Sequence, residues 1–130
     1  MTRREAREQA FIILFEKIFD NEATISENVA TAKEAELIKI NAFAENILNA
    51  VEMNSDAIDE AIEQSSNDWA ISRLPKVSLA ILRLAVAEIK YIDDVPNGVA
   101  VNEAVELAKK YGTNEDASFI NGILGAITKA

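Results

Sequence analysis

Apolar residues recur along the chain at steps of three and four positions, which is the period of helices that bury one side. The first such stretch follows Thr2, and Glu5 stands three residues later in the order of a capping box. A helix is therefore predicted from Arg3 to about Asp20. Because no run alternates between apolar and polar residues, no strand is predicted, and the pattern indicates an all-α fold.

The rest of the chain carries the same helical period. The further helices are predicted at about 26–31, 35–53, 57–62, 77–92, 99–111 and 113–127. The stretch 77–92 is apolar on nearly every side, which is typical of a central buried helix. Gly112 follows the helix predicted at 99–111 and is placed to end it. We therefore expect a single domain over residues 1–130 with about seven helices.

The composition excludes several kinds of catalytic and metal-binding site. The chain has no Cys and no His, which removes thiolate nucleophiles, disulfides, the usual zinc ligands and the commonest general base. We therefore expect a protein that binds other molecules and is not an enzyme, with no metal and no cofactor. No stretch has the apolar length of a membrane span, and Glu5 and Glu8 interrupt the basic start, so a cytoplasmic protein without a membrane partner is expected.

The net charge of −9 is unevenly distributed. Residues 1–15 carry three Arg against two Glu, and residues 69–130 carry seven basic and seven acidic side chains. Residues 16–68 carry three Lys against thirteen acidic side chains. An anionic ligand is therefore compatible with the two ends of the chain and not with its middle.

Basic and aromatic residues share one stripe of the first predicted helix. Arg3 and Arg7 lie one turn apart, and Phe11 and Phe15 continue the row. Arg side chains hold phosphates while unpaired bases stack on aromatic rings, which favours RNA. Three arginines at a helix start, Arg4 included, are a weak signal alone. A helical protein-interaction module that touches no RNA, including a homodimer, therefore stays open as an alternative.

Charged residues elsewhere have simpler interpretations. Arg83 lies in the most apolar predicted helix and cannot be left unpaired there, so we predict a structural ion pair with a carboxylate of a neighbouring helix, for which Glu103 is the first candidate. The carboxylate pairs Asp93 with Asp94 and Glu103 with Glu106 are interpreted as solvated surface charges and not as an acid and a base.

Four runs of residues carry a family resemblance. They are Arg3-Arg4-Glu5-Ala6-Arg7-Glu8-Gln9-Ala10, Trp69 followed by Ile81-Leu82-Arg83-Leu84-Ala85 and Glu88, Val101-Asn102-Glu103-Ala104-Val105-Glu106-Leu107-Ala108-Lys109 with Tyr111-Gly112, and Phe119-Ile120-Asn121-Gly122-Ile123-Leu124. Together they resemble NusB, a family of bacterial transcription antitermination factors. The last two runs are specific to that family, whereas the Arg-rich start is not.

The resemblance implies a fold of two small helical bundles. It also implies a function, in which the protein pairs with NusE, a small-subunit ribosomal protein, and the pair binds the boxA element of ribosomal RNA transcripts. The complex then joins other Nus factors on RNA polymerase and lets it read through terminators.

The resemblance also implies site residues. Arg3, Arg4 and Arg7 are the residues that it implies contact RNA. The residues that it implies border the RNA and partner surfaces are Phe15, Tyr111, Glu115 and Phe119. Ser78 is a candidate partner-binding position, where an acidic residue often faces NusE. The basic start is leaner than in some relatives, which predicts low RNA affinity for the isolated chain.

Overall fold

The structure, a computed structural model, describes residues 1–20, 22–34, 40–67 and 69–129. These ranges form helices and no strand, as the periodicity predicts. The elements are α1 (Arg3–Phe19), α2 (Ile25–Glu34), α3 (Ala42–Met53), α4 (Ser55–Ser65), a 3₁₀ turn (Ile71–Arg73), α5 (Lys76–Tyr91), α6 (Asn97–Tyr111) and α7 (Asn114–Lys129). The prediction of an all-α fold with about seven helices is confirmed.

Helix α5 is the centre of the fold, because α1, α3, α4, α6 and α7 all pack against it. Helices α1, α2 and α3 contact one another on one part of α5, while α4, α6 and α7 gather on another. The apolar residues of both groups join into one continuous core. Two small bundles thus share α5, and its buried residues run almost without interruption from 78 to 88.

Side-chain caps fix where α1 and α7 begin. Thr2 Oγ1 accepts a hydrogen bond from the Glu5 amide at 3.1 Å, and Glu5 Oε1 accepts one from the Thr2 amide at 3.2 Å. Thr113 and Asp116 make the same reciprocal contacts at the start of α7. Gly112 ends α6 as predicted, with a φ of −124°. A Cβ there would lie 2.6 Å from Asp116 Oδ2, so the cap of α7 leaves no room for a side chain.

Several predicted boundaries were wrong. The helices predicted at 26–31 and 57–62 are longer, at Ile25–Glu34 and Ser55–Ser65. The helix predicted over 35–53 begins only at Ala42, because the Asn41 side chain accepts a hydrogen bond from the Ala44 amide at 3.0 Å and caps α3. Residues 35–39 lie outside the described residues. The helix predicted from 99 begins earlier, at Asn97, directly after Pro96.

Candidate nucleic-acid interface

Arg3 and Arg4 lie in the exposed first turn of α1, and each has a carboxylate partner. Arg3 Nη2 lies 2.6 Å from Asp94 Oδ2, in the loop between α5 and α6, and this guanidinium holds the pKa of Asp94 below its ordinary value. Arg4 Nη2 lies 2.9 Å from Glu103 Oε2 on α6, and Arg4 Nε also donates to that carboxylate. The side chains of Arg3 and Arg4 are 49% and 66% exposed, so both cations can be reached from solvent.

Arg7 faces the interior instead. Its side chain is 4% exposed, and its Nε donates to Glu88 Oε1 of α5 at 2.7 Å, while its Nη1 lies 3.5 Å from Glu103. Burial raises the pKa of Glu88, and the hydrogen bond and charge of Arg7 oppose that shift. The prediction that Arg7 contacts RNA is corrected, because a guanidinium enclosed by two carboxylates inside the bundle cannot also reach a phosphate.

An aromatic ring from α3 supports the arginines from beneath. The guanidinium carbons of Arg3 and Arg7 lie 4.4 and 5.1 Å from the ring centroid of Phe43. This is within the range of cation–π attraction, so Phe43 helps to orient both side chains.

The cleft between α1 and α6 is balanced in charge. Glu8 of α1 accepts from Lys110 Nζ at 2.6 Å and from the Tyr111 hydroxyl, and both contacts hold the pKa of Glu8 low. Burial and the bond to Glu8 raise the pKa of Tyr111 to about 12. Lys109, further along α6, lies 3.6 Å from Glu106. The cationic groups of this cleft are thus already matched by carboxylates.

A row of aromatic rings continues along α1. Phe11 and Phe15 have ring centroids 5.8 Å apart, Phe15 and Phe19 are 5.2 Å apart, and Tyr111 lies 4.9 Å from Phe11. Phe11, Phe15 and Tyr111 line, with Val77, a groove of about 360 Å³. Phe19 is 62% exposed at the end of the row. We call the surface formed by Phe11, Phe15, Phe19, Tyr111 and Val77 the aromatic groove, and its exposed rings, Phe19 and Tyr111, make it a candidate surface for a partner.

The predicted site residues of α7 lie elsewhere. Phe119 is half-buried and lines a separate groove with Trp69 and Gly122, while Glu115 is exposed in the first turn. The structure therefore brings Phe15 and Tyr111 to one groove, whereas Phe119 borders another.

The predicted role of Ser78 was wrong. Its side chain has 0% exposure and its Oγ donates to Asp116 Oδ1 at 3.2 Å, since this face of α5 packs against α7. A residue in this position cannot touch a partner. The exposed start of α5 is Lys76, whose Nζ lies 5.9 Å from the Phe19 ring centroid.

The predicted pairing of Arg83 with Glu103 was also wrong. Arg83 Nε and Nη2 donate to the two carboxylate oxygens of Asp59 on α4, at 2.9 and 3.0 Å. Glu103 pairs with the arginines of α1, and Asp94 pairs with Arg3, so neither is merely a solvated charge. Arg83 thus forms its ion pair with Asp59 and not with Glu103, because the side of α5 that carries Arg83 faces α4.

Sequence reasoning missed Glu88, although a signal was present. Glu88 is a carboxylate in the most apolar helix, which is the same pattern that singled out Arg83. Of the two, Glu88 is buried and Arg83 is only partly so. Within the described ranges, no group of three or more acidic side chains could hold a metal ion, and no helix is long and apolar enough to cross a membrane.

The fold agrees with comparisons to known proteins. A model of the NusB family matches residues 4–129. The transcription antitermination protein NusB of Clostridium novyi (strain NT) is 42% identical over 137 residues, with 100% of both chains covered. T. maritima NusB is 30% identical, with a TM-score of 0.87 over 99% of this chain and 92% of that one. A chain in the crystal structure of antitermination factors NusB and NusE with dsRNA is 31% identical, with a TM-score of 0.85 over 98% of this chain and 96% of that one.

Proposed function

The chain belongs to the NusB family, and we propose that it is a transcription antitermination factor that binds boxA RNA of ribosomal RNA transcripts together with NusE. The observation that carries the RNA-binding part is the pair of exposed guanidinium groups, Arg3 and Arg4, in the first turn of α1. A relative of the same fold is known in a complex that holds NusB, NusE and RNA. The protein works by binding and not by catalysis.

Arg3 and Arg4 supply the phosphate contacts. The Arg3–Asp94 pair is about half exposed, and the Arg4 guanidinium is exposed although its partner Glu103 is mostly buried. Ion pairs of exposed side chains stabilise a protein little, so a phosphate can replace the carboxylate. Two guanidinium groups neutralise only two phosphates. The isolated chain therefore binds RNA weakly, and NusE supplies the remaining contacts.

The charge distribution fixes the direction of approach. Residues 16–68 carry thirteen acidic side chains against three lysines, so a phosphate backbone is repelled from the surfaces of α2, α3 and α4. RNA therefore approaches at α1 and the α5–α6 loop, where Arg3 and Arg4 are exposed.

NusE docks on the aromatic groove, beside the arginines on the same helix. Phe15, Phe19 and Tyr111 provide an apolar contact surface, and Lys76 stands at its edge. Aromatic side chains in such a position are typical anchors of protein interfaces. The pair then joins other Nus factors and RNA polymerase, which complete the antitermination complex.

The proposal is tested by the fluorescence anisotropy of labelled boxA RNA, titrated with the chain, with NusE, and with both. A scrambled RNA of the same length and composition serves as the control. We expect tight, sequence-selective binding only when both proteins are present. If the chain binds NusE or itself but adds nothing to RNA affinity, it is a protein-interaction module and the RNA-binding function is refuted.

A further inference from the structure

We propose that Asp94 and Glu103 act as built-in competitors of RNA, because their carboxylates occupy the phosphate-binding groups of Arg3 and Arg4 in the free protein. This inference rests on the proposed RNA-binding function and adds two residues that set its affinity. Neither carboxylate contacts RNA in this account. Each of them must leave its arginine before a phosphate can take its place.

Arg4 holds the Glu103 carboxylate in the way that an arginine holds a bound anion. Arg4 donates from Nε to both oxygens of Glu103, at 3.1 and 3.2 Å, and its Nη2 lies 2.9 Å from Oε2. The Nε and Nη2 edge of a guanidinium is an edge that binds a phosphate or a carboxylate through two hydrogen bonds. A phosphate therefore cannot use this edge while Glu103 does.

The carboxylate that pairs with Arg3 comes from a different part of the fold. Its Nη2 donates to Asp94 Oδ2 at 2.6 Å, and Asp94 belongs to the loop that joins α5 to α6. Both partners of this pair are about half exposed or more. Since each carboxylate comes from a separate element, the two pairs can open independently.

The neighbouring acidic residues provide matched controls. Asp93 precedes Asp94 in the same loop, and Glu106 follows Glu103 by one turn of α6 and is exposed beside Lys109. Neither Asp93 nor Glu106 pairs with an arginine of α1 in the described residues. Asp93→Asn and Glu106→Gln thus remove the same charge from nearly the same place without releasing an arginine.

The experiment compares the double variant Asp94→Asn/Glu103→Gln with the control Asp93→Asn/Glu106→Gln, in the NusE complex and with labelled boxA RNA at low salt. Releasing an exposed arginine from its carboxylate should raise affinity by about two- to five-fold, so both releases together should raise it about ten-fold relative to the control double variant. Thermal unfolding is measured in parallel. The single variant Asp94→Asn, at a pair whose side chains are both about half exposed or more, gives the answer if Glu103→Gln lowers stability.

Each outcome is decisive. Equal affinity in the two double variants means that only the overall charge matters, and the inference fails. Lower affinity in Asp94→Asn/Glu103→Gln means that these carboxylates orient the arginines for RNA, which also overturns it. If neither wild type nor any variant binds RNA with NusE present, the proposed function itself has failed.

Discussion

Arg7 donates a hydrogen bond to Glu88 over 2.7 Å and joins α1 to α5 through an ion pair in which both side chains are almost fully buried. A second carboxylate, Glu103, lies 3.5 Å from the same guanidinium. This pair fixes the rotation of α1 about its axis. Arg3, one turn earlier on the same side and over the same Phe43 ring, stays about half exposed because it is the first residue of the helix, while Arg4 reaches Glu103 on α6.

The buried pair predicts a large loss of stability when only one partner is removed. Arg7→Met leaves the Glu88 carboxyl without its partner in the core, where it must be buried as an unpaired charge or take up a proton, and this should lower the free energy of unfolding by about 3–5 kcal/mol. The matched control is Arg83→Met, where the pair with Asp59 is partly exposed and the loss should be about 1 kcal/mol or less. Urea unfolding followed by circular dichroism measures both, and equal losses would contradict the account.

Gly112 and Gly122 predict opposite effects of the same substitution. Gly112→Ala places a Cβ 2.6 Å from Asp116 Oδ2 and displaces the cap of α7, at a cost of about 0.5–2 kcal/mol. Gly122 lies inside α7 with open space around its Cβ position, so Gly122→Ala should stabilise the fold by roughly 0.5–1 kcal/mol. Thermal unfolding of the two variants tests the pair. Destabilisation by Gly122→Ala would show that this helix face is not free.

We expect the hydroxyl of Tyr111 to lose its proton in a measurable step at high pH. Burial and the bond to Glu8 raise its pKa from 10 to about 12, and its neutral form is therefore favoured in the folded state. Its contribution to stability is complete below pH 10 and disappears as the pH rises through about 12. Absorbance of the phenolate should show this step, and Tyr111→Phe should remove it. Glu8→Gln should move the step to lower pH, and no change would contradict the assigned cause.

The aromatic groove predicts where NusE binds. Phe19 is largely exposed, so Phe19→Asp should leave the fold intact while it weakens NusE binding by roughly ten-fold or more, as expected for an interface anchor. The control is Met53→Asp, which makes the same change at an exposed apolar residue on α3. Calorimetric titration with NusE compares them. Equal affinities of the two variants would place the partner elsewhere.

Much of the fold follows from local patterns. The apolar period locates each helix, and the Thr2–Glu5 and Thr113–Asp116 signals locate two starts to within one residue. The start of α3 could not be predicted as easily, because the apolar period runs through Asn41 and only the capping bond reveals the boundary.

The ion pairs could not be predicted from the sequence, because they depend on which faces of distant helices meet. Arg7 and Glu88 are far apart in sequence, and nothing local distinguishes Arg7 from Arg4 as the buried arginine. Arg83 was rightly expected to need a carboxylate, yet Asp59 and Glu103 were equally available until the packing of α4 against α5 was known. The burial of Ser78 likewise follows from the contact of α5 with α7.

The most direct test of the central claim is the salt dependence of boxA binding by the NusE complex, measured for wild type and for Arg3→Gln/Arg4→Gln. Two phosphate contacts contribute about 1.4 to the slope of log affinity against log salt for single-stranded RNA. The double variant should lose that part of the slope and, at low salt, roughly ten-fold or more in affinity, while NusE binding is unchanged. Lys90→Gln/Lys129→Gln removes the same charge from exposed positions and should alter neither quantity appreciably. An unchanged slope and affinity in Arg3→Gln/Arg4→Gln would contradict the assignment of RNA binding to α1.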